Sequence, residues 1–301
     1  MNRALGVDIG GTKIAVGLVE ADGTISQRRE VATPAQEGAD AIIAAVLGAA
    51  TAAMHGSEVV ACGVGTAGVV GESGEITTAT DLLRGWAGTP LRARLAETLH
   101  LPVRVLNDVQ ATGLAEARLG AARGRPSALI VAVGTGIGGA LARDGQVIRG
   151  ANGIAGSVGH MPAILRQGRV CSCGAFDHVE AYASGLSLET EYRRRTGQAL
   201  ALRAIARLAA QGDDVAGAVI AEGADVLGTA LGGANNVVDA SIVVVGGGVA
   251  ALGEMYFAPM REAARREALG TSRSVPIVPA QFGADACLVG AGLAGLDAAT
   301  D

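Results

Sequence analysis

The chain has 301 residues, enough for two domains of ordinary size, and half of them are apolar, so a folded globular protein is expected. A net charge of -5 and 2% aromatic residues provide neither the basic footprint nor the stacking surface that nucleic-acid binding needs. No apolar run reaches bilayer-spanning length without a charge or a breaker, and MNRALGVDIGG enters a buried-type strand almost at once. The expectation is a soluble, cytoplasmic chain without membrane or nucleic-acid partners.

In chain order, strand-like runs at 4–9, 15–19, 59–64, 103–106, 128–133 and 242–245 alternate with helical stretches near 37–54, 90–99, 109–119, 185–195, 214–236 and 253–268. That alternation predicts α/β architecture. The 46 glycines cluster at the ends of apolar runs and form no low-complexity tract. Two segments resemble each other: LGVDIGGTKIAVGLVEADGTI from Leu5 and LIVAVGTGIGGALARDGQVI from Leu129. Each is a strand, a glycine turn with one Thr (Thr12, Thr135), a second strand and an Asp-Gly pair (Asp22-Gly23, Asp144-Gly145) suited to a type I′ hairpin. The repeat predicts a duplicated domain whose glycine hairpins face each other across a cleft.

Three glycine patterns mimic the dinucleotide fingerprint, starting at Gly63, Gly134 and Gly246. The first two continue as strand and turn. The third opens a helix, but no acidic residue on a following strand stands ready to hold a ribose, so a Rossmann dehydrogenase is set aside. DIGGTK offers something different: backbone N–H groups, a Thr hydroxyl and a Lys that suit phosphate oxygens, with Asp8 beside them able to hold Mg²⁺. It could also be a plain tight turn; the second hairpin, GTGIGG, favours the phosphate reading.

Asn107-Asp108 follows VRVL and precedes a helical stretch, at the carboxyl end of a strand where α/β ligands bind. Both residue types also suit a simple helix N-cap. CSCGAFDHVE, at 171–180, concentrates two of the four cysteines with Asp177, His178 and Glu180. In a chain expected to keep its thiols reduced this suggests a metal; a one-residue spacer strains a Cys171–Cys173 disulfide. Cys62 and Cys287 lie in apolar stretches and read as core thiols.

Taken together, DIGGTK at 8–13, LND at 106–108, GTGIGG at 134–139, GANGIAGSVGH at 150–160, CSCGAFDHVEAYASG at 171–185 and VVVGGGVA at 243–250 resemble the ROK family (repressors, uncharacterised frames and sugar kinases), of the actin, hexokinase and Hsp70 ATPase fold. The resemblance implies a two-domain α/β, actin-like (ribonuclease H-like) fold with duplicated βββαβα cores. The division expected is a small domain over 1–106, completed by a helix at about 289–301, and a large domain over 107–288. The family also implies a homodimer, ATP with Mg²⁺, and phosphoryl transfer to a hexose 6-hydroxyl. By resemblance Asp8, Gly10, Gly11, Thr12 and Lys13, with Gly134, Thr135, Gly136 and Gly138, surround phosphates, and Gly246, Gly247 and Gly248 lie near adenosine. Asp108 matches the catalytic base, and Asn107, Ser157, His160 and Glu180 join it on the sugar. Family repressors carry a helix-turn-helix before DxGGTK; here that motif starts at Asp8, which sets the repressor reading aside.

The family's metal segment usually reads CxCGxxGCxE, and its three cysteines plus the His of GxxGExGH hold a structural zinc. Here Asp177 and His178 stand where Gly and the third Cys are usual. His160, Cys171, Cys173 and His178 would form an N₂S₂ site, the alternative being a degenerate loop without metal. Ser157 replaces the glutamate of GExGH, which weakens the expectation for plain glucose. The extra acids Asp81 and Asp177 suggest an amino hexose such as kanosamine (3-amino-3-deoxyglucose). An ordinary glucokinase, an N-acetylhexosamine kinase, and an actin-like ATP-binding protein without sugar chemistry are the alternatives.

Overall fold

The computed structural model describes residues 2–300. The chain begins with β1 (Ala4–Ile9), β2 (Lys13–Val19), β3 (Ile25–Ala32), α1 (Ala39–Met54), β4 (Ala61–Thr66), β5 (Val69–Val70), β6 (Ile76–Thr78), α2 (Leu91–Leu99), β7 (Val103–Asn107) and α3 (Asp108–Arg118). It continues through β8 (Ser127–Val133), β9 (Ile137–Arg143), β10 (Gln146–Ile148), α4 (Glu180–Ala183), α5 (Gly185–Thr196), α6 (Leu202–Ala210) and α7 (Asp214–Val238). It ends with β11 (Val243–Gly246), α8 (Glu254–Glu267), β12 (Ile277–Pro279) and α9 (Ala286–Ala298).

Two five-stranded sheets carry these elements, in the orders β3-β2-β1-β4-β7 and β10-β9-β8-β11-β12. In each, a hairpin strand leads into parallel neighbours: β1 pairs parallel with β4 and β4 with β7, as β8 does with β11 and β11 with β12. The internal repeat is thus a repeated sheet topology.

The chain forms two compact units, Met1–Gly124 with Ala140–Ala155 and Gln281–Asp301, and Arg125–Gly139 with Gly156–Ala280. The expected boundaries at 106/107 and 288/289 lie elsewhere. In the first unit α3 and α9 share one core, in which Leu106, Ala111, Leu114 and Ala115 meet Cys287, Val289 and Ala291. Arg118 of α3 also forms a bidentate pair with Asp297 of α9, at 2.9 and 2.7 Å. Backbone contact requires small residues there: a Cβ on Gly63 would lie 1.7 Å from the Ala291 carbonyl oxygen, and one on Gly290 1.7 Å from that of Ala111. A second core in this unit packs α1 and α2 against the sheet, with Ile42, Val46, Trp86, Leu91 and Leu95 fully buried.

In the second unit α7 lies along α8, glycine against backbone: a Cβ on Gly228 would meet the Met260 carbonyl oxygen at 2.1 Å. Among the described residues α7 alone is long and apolar enough to cross a bilayer, but 61% of its apolar window is buried inside the protein, which marks a core helix. Only the second Asp-Gly pair makes the expected turn: Asp144 and Gly145 both have positive φ (50° and 74°), as type I′ demands. At Asp22-Gly23 only Gly23 does (φ 86°). There the loop is longer, closed by Gly23 N–H on Glu20 O and Glu20 N–H on Thr24 O.

Candidate active site

In the first unit, Asp8 of β1 lies in register with Gly65 of β4, and Thr66 with Asn107 of β7, so these residues share the carboxyl ends of adjacent parallel strands. The turn after β1 is closed locally. Gly10 N–H donates to Lys13 O at 3.0 Å, and Thr33 of the stretch after β3 donates its hydroxyl to Gly10 O at 2.7 Å. Lys13, expected at phosphates, pairs with Glu30 on the neighbouring strand at 3.0 Å, both side chains largely exposed.

The helix-capping alternative is realised by Asn107. Its Oδ1 accepts from Val109 N–H at 3.0 Å and Gln110 N–H at 3.3 Å, while its Nδ2 donates to Gly68 O at 3.0 Å. The same side chain also hydrogen-bonds the neighbouring Asp108 carboxylate. Asp108, the first residue of α3, keeps a distinct role: burial pushes its carboxyl up to about 6, the Val109 N–H opposes this, and the charge of Asp8 adds to it. Asp8 is itself raised, first by burial, against which the Cys287 thiol's hydrogen bond and the charges of Lys13 and Arg28 act. Cys287, read from the sequence as a core thiol, is indeed buried, but it also touches this carboxylate; no local pattern marks that role. Cys62 is fully buried, its thiol pushed up to about 12. Asp81 is exposed in the loop before α2.

In the second unit three glycine segments interlock. A Cβ on Gly139 would lie 2.1 Å from Gly156 O, one on Gly159 2.0 Å from Ile137 O, and one on Gly247 (φ 88°) 2.4 Å from Val133 O. Val249 N–H donates to Val133 O at 2.9 Å, and Gly185 N–H to Gly134 O at 2.7 Å. The loops at 134–139, 156–160 and 246–248 therefore form one close-packed backbone assembly. Ser157 precedes the 3₁₀ turn Val158–His160, its carbonyl accepting from His160 N–H at 3.1 Å.

His160, Cys171, Cys173 and His178 come together: one donor atom of each lies within 4.8 Å of all the others. Cys171 Sγ sits 3.5 Å from His160 Nδ1, and Cys173 Sγ 3.3 Å from His178 Nδ1. Tetrahedral zinc bonds of about 2.0 and 2.3 Å require edges of roughly 3.5 Å; these two pairs have that length, and the two imidazoles and two thiols are donor types that zinc takes. Glu180 opens α4 beside this cluster. Its Oε2 accepts from Ile137 N–H at 2.8 Å, and its Oε1 from the hydroxyl of Ser172 and, at 3.5 Å, the thiol of Cys171. Asp177, expected near an amino sugar, has its carboxylate engaged within its own loop. Its carboxylate takes the N–H groups of Gln167 (3.2 Å) and Arg169 (3.0 Å) and the Tyr182 hydroxyl, bonds that hold it below the usual carboxylate range and close the metal loop.

A buried carboxylate at a strand's carboxyl end and a glycine hairpin repeated on two sheets of like order accord with a two-domain α/β fold of the actin-like ATPase type. The ROK family profile matches residues 4–295, and the chain belongs to that family. Over 312 residues it is 33% identical to a glucokinase of Streptomyces coelicolor, covering 97% of this chain and 96% of that protein. Over 291 residues it is 32% identical to an N-acetylmannosamine kinase of Vibrio cholerae, covering 96% and 98%. The crystal structure of a ROK glucokinase from Streptomyces griseus in complex with glucose and AMPPNP superposes with a TM-score of 0.86 at 32% identity, covering 98% of this chain and 100% of that one. The protein is an ATP-dependent sugar kinase.

Proposed function

We propose that the protein transfers the γ-phosphoryl of ATP to the 6-hydroxyl of a glucose-like hexose, an amino sugar such as kanosamine being the favoured acceptor, with Asp108 as base. The observation that carries the chemistry is Asp108 itself, a carboxyl raised to about 6 at the head of α3 and still ionised at neutral pH. It orients the sugar hydroxyl and takes its proton late, once bonding to phosphorus has begun, so a base far weaker than the alkoxide suffices. Asn107, whose side chain hydrogen-bonds Asp108, would hold that carboxylate in place and contact a neighbouring hydroxyl. Asp8 would hold Mg²⁺, which supplies charge neutralisation at the phosphates; the amides of Gly10–Lys13 in the first unit and of Gly134–Gly138 in the second would each bind phosphate oxygens, and Gly246–Gly248 the adenosine. His160, Cys171, Cys173 and His178 would hold a structural zinc that stiffens the loop bearing Glu180.

Acceptor choice rests on Ser157. A neutral hydroxyl stands where family glucokinases present a carboxylate, so one charge-assisted bond of about 1.5 to 3 kcal/mol to glucose is missing. With Asp177 committed to its loop, Asp81 is the extra acid left to meet a sugar ammonium. A homodimer and a cytoplasmic location complete the reading. A coupled ADP-release assay across glucose, kanosamine, glucosamine, mannose and N-acetylated hexosamines tests it. Kanosamine should give the highest kcat/KM, and Ser157→Glu should lower the glucose KM about tenfold while helping the amino sugar less. A wild type that strongly prefers glucose, or a variant with an unchanged ratio, overturns the acceptor assignment.

A further inference from the structure

The glycine loop 134–139 is not held by its own hairpin alone. Glu180, which by family resemblance meets the sugar, spends one oxygen on that loop: Oε2 accepts the Ile137 N–H at 2.8 Å. The other oxygen is turned to the 171–178 loop, where the Ser172 hydroxyl donates to it and the Cys171 sulfur lies 3.5 Å away. Glu180 as a whole is 9% exposed, and its carboxylate lies so close to the loop that a Cβ on Gly136 would fall 2.5 Å from Oε2. Glu180 is fixed in turn at the start of α4, where its carbonyl accepts from the Ser187 hydroxyl at 2.7 Å. An ionised carboxylate offers about four acceptor positions. Ile137 and Ser172 take two of them, which leaves room for a sugar hydroxyl.

We propose that Glu180 is a positioning residue for the nucleotide as well as a sugar ligand: through the Ile137 N–H it sets the shape of the 134–139 loop, and so the phosphate affinity of the kinase, before any sugar arrives. The inference rests on the reading of Gly134–Gly138 as a phosphate-binding loop. Its distinguishing feature is that reach matters and charge does not. Glu180→Gln keeps the length, and its amide oxygen can still accept from Ile137. Glu180→Asp keeps the charge but withdraws the oxygens by about 1.5 Å, one carbon–carbon bond. A group that only bonds sugar would leave nucleotide binding untouched in both variants. A group acting only by its negative charge would change it in Glu180→Gln and spare Glu180→Asp.

Calorimetric titration of the full-length protein with a non-hydrolysable ATP analogue and Mg²⁺, without sugar, reads the difference. The expected result is a Kd within about twofold of wild type for Glu180→Gln and weaker by about fivefold or more for Glu180→Asp, the cost of leaving a buried N–H unpaired. Wild-type affinity in Glu180→Asp, or equal weakening in both variants, overturns the proposal. If Glu180→Asp does not fold, hydrogen exchange of the Ile137 amide in the wild type decides: slow exchange supports the bond, and exchange at the rate of an exposed turn overturns it. A wild type that binds the analogue without contacting it through Gly134–Gly138, read from Gly134 and Gly136 amide shifts, would remove the phosphate-loop reading instead.

Discussion

In the first unit the glycine turn after β1 is closed from within its own sheet, by Lys13 O and by Thr33 just beyond β3. In the second, the equivalent turn after β8 is braced from outside the hairpin, by the backbone of 156–159, by Gly185 and by the Glu180 carboxylate. The two sheets repeat one strand order, so the difference lies in what is packed on the turns. The first unit carries the perturbed carboxyls of Asp8 and Asp108; the second carries the metal-ligand cluster and the backbone jigsaw. In the proposed reading the first unit supplies the base, at some cost to stability, and the second supplies rigidity.

The largest effect that tests this division is on turnover. Asp108→Asn should lower kcat by at least about a hundredfold while leaving nucleotide and sugar affinities within a fewfold. In the wild type, kcat/KM should fall tenfold per pH unit below an apparent pKa near 6, as the base is protonated. Because the folded pKa of Asp108 lies above its ordinary value, its ionisation disfavours the fold: that part of the stability is full below about pH 4 and is lost as pH rises through 6. Asp108→Asn should therefore raise the melting temperature at pH 8 and leave it unchanged at pH 3.5. Near-normal turnover in this variant removes Asp108 as the base.

Next come the turns themselves. Gly139→Ala places a methyl 2.1 Å from a backbone oxygen that cannot swing aside, and should cost about 3 kcal/mol, several degrees in melting temperature. Gly10→Ala meets Lys13 O at 3.1 Å, a contact relieved by a shift of a few tenths of an ångström, and should cost under about 1 kcal/mol. Equal losses, read by thermal melts, would erase the contrast between the two turns. His178→Ala should release zinc from a protein expected to hold one ion per chain and lower the melting temperature, because structural metal contributes folding energy. Metal analysis that finds none in protein never exposed to chelator breaks this expectation. The smallest effect belongs to Lys13→Ala. Its exposed pair with Glu30 is worth under about 1 kcal/mol, so stability should hold while the KM for ATP rises if the ammonium turns to phosphate.

The local grammar of the chain carried much of this. Apolar runs ending in glycine fixed the strands, and motif order, with its departures at Ser157 and His178, marked the candidate residues in each unit. The amphipathic α6 and the polar edge strand β3 (ISQRREVA) escaped, because an exposed strand carries no apolar signal. The roles of Asp177, Lys13 and Cys287 were also hidden. A carboxylate closing its own loop, an ammonium paired across a hairpin and a thiol on a helix some 280 residues from Asp8 depend on which side chains meet in space. Sequence by itself determined the repeated sheet, the glycine turns and the membership of the His160, Cys171, Cys173 and His178 cluster, because these follow from residue type at short range. Only tertiary structure decided the unit boundaries, which the α3–α9 core sets, and the braced state of the second glycine loop. Burial and close backbone approach are sums over distant segments, and no local window contains them.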